Sequence, residues 1–315
     1  MKPKVFIDGH EGTTGLQIYD RLNKRDDIEL LSIDDNKRKD IKEREKFINS
    51  SDIVFLCLPD AAAIEAVSLI SNNNTRVIDA STAHRTSGDW AYGFSELSKN
   101  HLNKIKSSRF VANPGCHATG IIASCYPLIQ LGIMAKDYPL CTFSLTGYSG
   151  GGKSMIHSYA EEKTSEMFAP RLYALNLKHK HLPEIQHVTG LTEPPTFCPI
   201  VDDYYAGMAT TIMLHNKMLI GNPSAECIRQ ILSDYYKERY KEREHLITVS
   251  PELGSGMLSS NLGVGTDAML LTVSGNEDST TITAQFDNLG KGASGAAVQN
   301  MEIMLQGMKE QGVIH

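Results

Sequence analysis

Apolar residues in the first third of the chain fall into short, nearly unbroken runs separated by stretches of helical period. Residues 4–8 (KVFID), 28–33 (IELLSI), 53–58 (IVFLCL) and 76–80 (RVIDA) read as strands. The continuous apolar character of 53–58 is what a strand covered on both faces requires. Between them, Leu16, Tyr19 and Leu22 recur at helical spacing over residues 16–24, and AAAIEAVSLI at 61–70 predicts a second helix. The mixed-sign run from Lys37 to Lys46 reads as a solvated helix face. Strands alternating with helices imply right-handed crossovers and an open parallel sheet.

Beyond Cys116 the pattern changes. Residues 140–147, 197–201, 208–215, 246–250, 268–274 and 279–286 read as strands, several of them alternating as in TTITAQF, with a helix over 224–240. This series predicts a mixed or antiparallel sheet in a second α+β domain. The tail, 291–310, carries Val298, Met301, Ile303, Met304 and Leu305 at helical spacing and is expected to pack back on the first domain. The boundaries that follow are 1–115 with 291–315 for the parallel-sheet domain and 116–290 for the second. Residues 251–266, rich in Gly and Ser, are expected to form a long mobile loop.

Composition changes this picture little. With 315 residues, two cores are the natural expectation, and 41% hydrophobic with 22% charged residues is ordinary for a globular protein. A net charge of −6 gives no global attraction for nucleic acid or anionic membranes, so neither is expected as a partner. No apolar stretch reaches the length of a membrane span, and the N-terminus turns polar too early for a signal peptide. The six cysteines are dispersed, without a CxxC pair, which predicts reduced thiols and a cytoplasmic location.

Four constellations carry candidate chemistry. Gly9-His10-Glu11-Gly12-Thr13-Thr14-Gly15 follows a strand and precedes a helix, where glycines permit a tight turn and unpaired helix N–H groups face a dinucleotide pyrophosphate. That placement makes the first domain Rossmann-like. At the end of the second strand, Asp34 and Asp35 suit the ribose hydroxyl of NAD, whereas Lys37, Arg38 and Lys39 suit the extra phosphate of NADP. Both readings stand on the residues alone.

Asn113-Pro114-Gly115-Cys116-His117-Ala118-Thr119-Gly120 places Cys116 at the start of a helix, where the dipole and unpaired N–H groups stabilise a thiolate. The other five cysteines lie in apolar or helical runs and read as structural. His179-Lys180-His181-Leu182-Pro183-Glu184-Ile185 offers a histidine to exchange a proton near Cys116 and a carboxylate, Glu184, to orient it. The histidine pair lacks further ligand spacing, so no metal is expected. Thr146 to Lys153, TGYSGGGK, formally matches a P-loop through Gly147, Gly152, Lys153 and Ser154. Its position after the nucleophile and outside the parallel sheet favours a second glycine wall for a cofactor.

Together with DASTAHR at 79–85 and DNLGKGASGAAVQN at 287–300, these segments form six ordered anchors spanning the chain. The sequence resembles the N-acetyl-gamma-glutamyl-phosphate reductases of the shorter type and, more distantly, the aspartate-semialdehyde dehydrogenases. The resemblance implies an NADP-dependent, homo-oligomeric acyl-phosphate reductase whose second domain carries catalysis and dimerisation. It implies Cys116 as nucleophile, His181 and then His179 for proton transfer with Glu184 beside them, and cofactor contacts at Gly9, Gly12, Thr13, Thr14, Gly15, Lys37, Arg38, Ser149, Gly150 and Asn288. Arg85 is the expected contact for a phosphate or carboxylate of the substrate, because its fork matches either anion. Two rivals are a reductase of aspartyl phosphate, which the HxHxPE segment disfavours, and a nucleotide sensor without chemistry, which Cys116 beside the histidines disfavours.

Overall fold

The computed structural model describes residues 2–239, 246–250 and 256–314, which form two compact units. The first comprises Met1–Pro114 and Ala293–His315. Its elements run β1 (Lys4–Asp8), α1 (Thr13–Leu22), β2 (Glu29–Leu31), α2 (Ile41–Asn49), β3 (Ile53–Leu56), α3 (Asp60–Ser68), β4 (Arg76–Asp79), β5 (Ala91–Tyr92), α4 (Lys99–Ser107) and β6 (Phe110–Ala112). The sheet order is β2-β1-β3-β4-β6-β5 and every pairing is parallel. From β1 the chain moves to one side for β2 and returns to the other for β3. The crevice outside the carboxyl ends of β1 and β3 is therefore the topological switch point, where open parallel sheets bind ligands.

Successive side chains of these strands enter opposite cores. Val5, Ile7, Ile53 and Phe55 pack with Ile18 and Leu22 of α1 and with Met301 and Met304 of the C-terminal helix, Gly295–Glu310. Phe6, Val54 and Leu56 pack with Ile48 of α2 and with Ala63 and Ala66 of α3. Helices on both faces explain why the strand sequences read as unbroken apolar runs. The C-terminal helix joins this unit as its periodicity predicts, lying along α4, where a Cβ on Gly307 would meet the carbonyl of Lys106 at 2.1 Å. The run 37–46 departs from its expected exposure. Asp40 caps α2 by accepting from the amides of Lys42 and Glu43, but Arg44 is buried and paired with Asp8.

The second unit, Gly115–Gly292, contains α5 (Cys116–Gln130), β7 (Cys141–Gly147), α6 (Gly152–Glu161), β8 (Arg171–Leu172), α7 (Leu182–Thr189), β9 (Thr196–Asp202), β10 (Met208–His215), α8 (Ala225–Arg239), β11 (Ile247–Val249), β12 (Met269–Gly275) and β13 (Ser279–Phe286). Its sheet runs β11-β12-β13-β10-β7-β9-β8, mixing antiparallel pairs with parallel β7/β9 and β11/β12, as the alternating strands predict. Helix α5 is buried from His117 through Ile129. It lies close on the sheet because Gly120 has no side chain: a Cβ there would stand 2.7 Å from the Thr210 side chain and 3.0 Å from Phe286. Residues 251–255 of the expected loop lie outside the described residues, and 256–268 contain neither helix nor strand.

Candidate active site

Cys116 is the first residue of α5, and no side chain of its own turn caps that helix. Instead, Glu184 reaches in from α7, its Oε1 accepting from the Gly115 amide at 2.7 Å. Pro183 in the first turn of α7 costs no hydrogen bond there and fixes the turn that carries Glu184. The carboxylate expected to orient a histidine is placed where it anchors the backbone at the nucleophile. A cavity of about 210 Å³ opens over the thiol, bordered by Cys116, His179 and His181, by Tyr173, and by Gly147, Gly150 and Gly151 of the glycine-rich loop. The loop follows β7 of the mixed sheet and borders the same cavity as the cysteine.

Three imidazoles crowd this cavity. The His179 ring stands 4.7 Å from that of His181 and 5.3 Å from that of His117, both edge-on. The Nδ1 of His179 accepts from the His181 amide at 3.2 Å, so neutral His179 carries its proton on Nε2. Burial, then the charge of Lys180, pushes His179 down to about 4. His117 was legible only as part of the cysteine motif. It is 2% exposed, with Nδ1 2.8 Å from the Ser144 hydroxyl and Nε2 2.7 Å from the Tyr173 hydroxyl. Burial, followed by the charges of His179 and Lys180, pushes it down to about 3.

A histidine held neutral in the fold but free to protonate when unfolded weakens stability on acidification. The loss begins as pH falls through the unfolded value near 6.5 and continues towards the folded one. For His117 the linkage amounts to about 2 kcal/mol between pH 7 and pH 5. Urea denaturation at the two pH values should show this loss, and His117→Gln should reduce the pH dependence by about that amount.

The crevice at the switch point of the first unit holds a separate cavity of about 500 Å³, lined by Asp8, Gly9, Gly12, Arg38, Lys39 and Arg44 among others. Gly9 has φ +87°, and a Cβ on it would meet the carbonyl oxygen of Cys57 at 2.5 Å. A Cβ on Gly15 would meet the Gly9 carbonyl at 2.4 Å, so this glycine lets α1 approach the turn, whereas a Cβ on Gly12 would make only ordinary contacts, with the Gly9 carbonyl at 3.6 Å and the Cys57 carbonyl at 3.7 Å. No side chain caps α1, and the buried hydroxyl of Thr13 at its start has no hydrogen-bond partner among the described residues. Thr14 follows it in the first turn. Open amides, an unpartnered hydroxyl and a close glycine turn fit a dinucleotide pyrophosphate.

Of the basic residues after β2, Arg38 and Lys39 border this cavity, while Lys37 turns to Glu43 at 3.7 Å. Arg38 pairs with Glu11, and His10 faces Asp35 at 3.8 Å. Asp34 accepts from the Asn36 amide within its own turn. Beneath the cavity Arg44 binds Asp8 at 3.0 Å and Glu65 at 2.8 Å, an anchor the sequence reading did not find.

The remaining predicted residues are placed differently. Ser149 is buried, its hydroxyl accepting from Asn288 Nδ2 at 3.0 Å, while Asn288 Oδ1 accepts from the Gly207 amide at 2.8 Å. This pair ties the glycine-rich loop to the end of the sheet, and Gly150 is the one of the three that borders the cysteine cavity. Arg85 is also buried, donating through Nε to the Asn113 carbonyl at 2.9 Å and through Nη2 to the Ala80 carbonyl at 3.1 Å. These bonds hold its Nε and Nη2 on the backbone after β4 and β6, tying the two strand ends together. Beside it the carboxylate of Asp79 receives Ser81 at 2.7 Å and His84 at 2.6 Å, and His84 stacks on Trp90.

Comparison with known proteins places these features in one family. Residues 4–105 match the family model described as semialdehyde dehydrogenase, NAD binding domain, and residues 116–288 match semialdehyde dehydrogenase, dimerisation domain. The chain is 45% identical over 323 residues to N-acetyl-gamma-glutamyl-phosphate reductase 2 of Nostoc sp., covering 98% of both chains. It is 45% identical to the N-acetyl-gamma-glutamyl-phosphate reductase of Brucella anthropi, over 97% of this chain and 99% of that one. Among solved structures it has the fold of aspartate semialdehyde dehydrogenase II from Vibrio cholerae, complexed with ASA, at TM-score 0.71 and 15% identity, covering 97% of this chain and 99% of that one. It also has the fold of the Candida albicans aspartate semialdehyde dehydrogenase with NADP, at TM-score 0.67 and 14% identity over the full length of both chains. The chain belongs to the semialdehyde dehydrogenase family and, within it, to the N-acetyl-gamma-glutamyl-phosphate reductases.

Proposed function

We propose that this chain reduces N-acetyl-gamma-glutamyl phosphate to N-acetylglutamate 5-semialdehyde with NADPH, releasing phosphate, in arginine biosynthesis. The observation that carries this reading is the cavity that gathers Cys116, the first residue of α5, with two histidines. The thiolate of Cys116 attacks the acyl carbon, a C–S bond forms, and the C–O bond to phosphate breaks with the electron pair leaving on phosphate. NADPH, when bound, supplies the hydride that reduces the thioester carbonyl. His181, which is buried beside the nucleophile, protonates the oxyanion and then recovers that proton as C=O reforms and the C–S bond breaks. His179 is the second choice for that transfer. Glu184 keeps the Gly115 amide, and with it the start of α5, in place.

Gly9, Gly12, Thr13, Thr14 and Gly15 hold the pyrophosphate of the cofactor, and Arg38, assisted by Lys39, takes its 2′-phosphate. Removing a charge-assisted contact of this kind costs about 10- to 100-fold. Arg38→Ser is therefore expected to lower kcat/KM for NADPH by about that factor while leaving NADH unchanged, as initial rates with each cofactor would show. The match to a dimerisation domain supports a homo-oligomer, and six cysteines without a disulfide support a cytoplasmic enzyme.

The test is the reverse reaction: phosphate-dependent reduction of NADP by the purified protein with N-acetylglutamate semialdehyde and, separately, with aspartate semialdehyde. Activity with the first supports the reading. Activity confined to the second moves the chain's substrate to the neighbouring enzymes, and activity with neither overturns the assignment.

A further inference from the structure

A buried line of side chains runs from the sheet of the second unit to the cysteine cavity, and its direction can be read from its far end. The Thr210 hydroxyl is fully buried, and its one hydrogen-bond partner among the described residues is the Ser144 hydroxyl at 2.7 Å. A buried hydroxyl proton needs an acceptor, so Thr210 donates to Ser144. Ser144 then spends its own proton on Nδ1 of His117 at 2.8 Å. With Nδ1 accepting, neutral His117 carries its proton on Nε2 and donates to the Tyr173 oxygen at 2.7 Å. Run in reverse, the line would leave the Thr210 proton buried without an acceptor. His117 is the one hydrogen-bond partner of the Tyr173 hydroxyl among the described residues, which leaves the phenolic proton for the cavity that Tyr173 borders together with Cys116.

We propose that Tyr173 is a further catalytic residue, a hydrogen-bond donor to the sulfur of Cys116 whenever that sulfur is anionic, aimed by Thr210, Ser144 and His117 acting as positioning residues. The inference rests on the thiolate chemistry proposed above and adds the group that stabilises the thiolate, both before attack and as the C–S bond breaks. No proton is transferred along the line; each hydroxyl and imidazole keeps its own. Burial first, and then the charge of Cys116, holds the Tyr173 phenol above its ordinary range, so it stays a donor at every working pH. Successive donors polarise one another, which makes the last one stronger than an isolated phenol.

The experiment measures iodoacetamide alkylation of Cys116 against pH, followed by peptide mass mapping, in the full chain and in Tyr173→Phe, together with steady-state kinetics of the reverse reaction. Loss of a donor to a charged acceptor is expected to move the alkylation midpoint upward by about one pH unit. It should lower kcat by about 100-fold with KM within about 3-fold, as removal of a preorganised donor does elsewhere. Ser144→Ala keeps the phenol but removes the donor to Nδ1 of His117, so the ring that aims the Tyr173 phenol loses the hydrogen bond that holds it in place. It should shift the alkylation midpoint in the same direction, and it decides the matter should Tyr173→Phe fail to fold. His179, Lys180 and His181 face the same cavity and are unchanged in both variants, so the shift reports the donor.

An unmoved alkylation profile overturns the proposal, even if kcat falls, because a packing defect alone would produce the latter. Alkylation needs no substrate, so this outcome stays separate from the substrate reading, which fails instead if the unaltered chain is inactive with both semialdehydes.

Discussion

Replacing Cys116 with alanine is expected to abolish turnover, lowering kcat for the reverse reaction by at least about 10⁴-fold while the fold persists. The change removes the atom that forms the covalent intermediate, and general acid–base groups cannot substitute for it. Cys116 borders an existing cavity at a helix start and does not fill a core, so the truncation leaves the packing of α5 on β10 and β13 in place. Steady-state rates with N-acetylglutamate semialdehyde, phosphate and NADP, alongside far-UV circular dichroism, check both halves. Retention of more than a tenth of the rate would mean that the acyl group reacts without passing through the cysteine.

Arg44→Met should produce the largest loss of stability, about 3–5 kcal/mol at neutral pH, because it strands the buried carboxylate of Asp8 without its cation. Arg44 and Asp8 are both nearly inaccessible and meet at 3.0 Å. Burial pushes Asp8 above the ordinary carboxylate range even with Arg44 beside it, and although burial alone lowers Arg44, Asp8 and Glu65 together hold it above its own ordinary value. A carboxyl whose folded pKa is raised binds more protons in the native state than in the unfolded one, so its contribution to stability grows as pH falls. Without Arg44 that shift increases, and the difference from the unaltered chain should be smaller at pH 5 than at pH 7. Urea titrations at both values measure it. Equal losses at the two values would mean that Asp8 does not carry the penalty.

How much of this was legible in the sequence depends on the distance over which each feature is built. The parallel sheet was readable because β1, β3 and β4 are covered on both faces and announce themselves as apolar runs, and the C-terminal helix because its stripe repeats over four turns. The strands β5 and β6 escaped notice, being two and three residues long and too short to show a period. Arg44 was misplaced because charge alone suggests solvent; nothing local says that the carboxylate at the end of β1, 36 residues away, will draw it inward.

The site divides the same way. Gly9, Gly15, Cys116 and His181 belong to compact motifs whose chemistry is written within a few residues. Gly120, in the cysteine motif, proves to serve packing, since its missing side chain sets the distance between α5 and β10. The line from Thr210 to Tyr173 joins positions 66, 27 and 56 residues apart in sequence, so only the folded sheet brings it together. Arg85 carries a second task that its sequence context does not announce: backbone carbonyls after β4 and β6 take two of its nitrogens.

The most direct test of the central claim, that catalysis passes through a thioester on Cys116, is intact-protein mass spectrometry after mixing the chain with N-acetyl-gamma-glutamyl phosphate in the absence of NADPH and quenching in acid. The account predicts a mass increase of one N-acetylglutamyl group, mapped to the peptide carrying Cys116, discharged by adding NADPH and absent in Cys116→Ala. An unmodified protein that nonetheless turns over the same substrate when NADPH is supplied would contradict it.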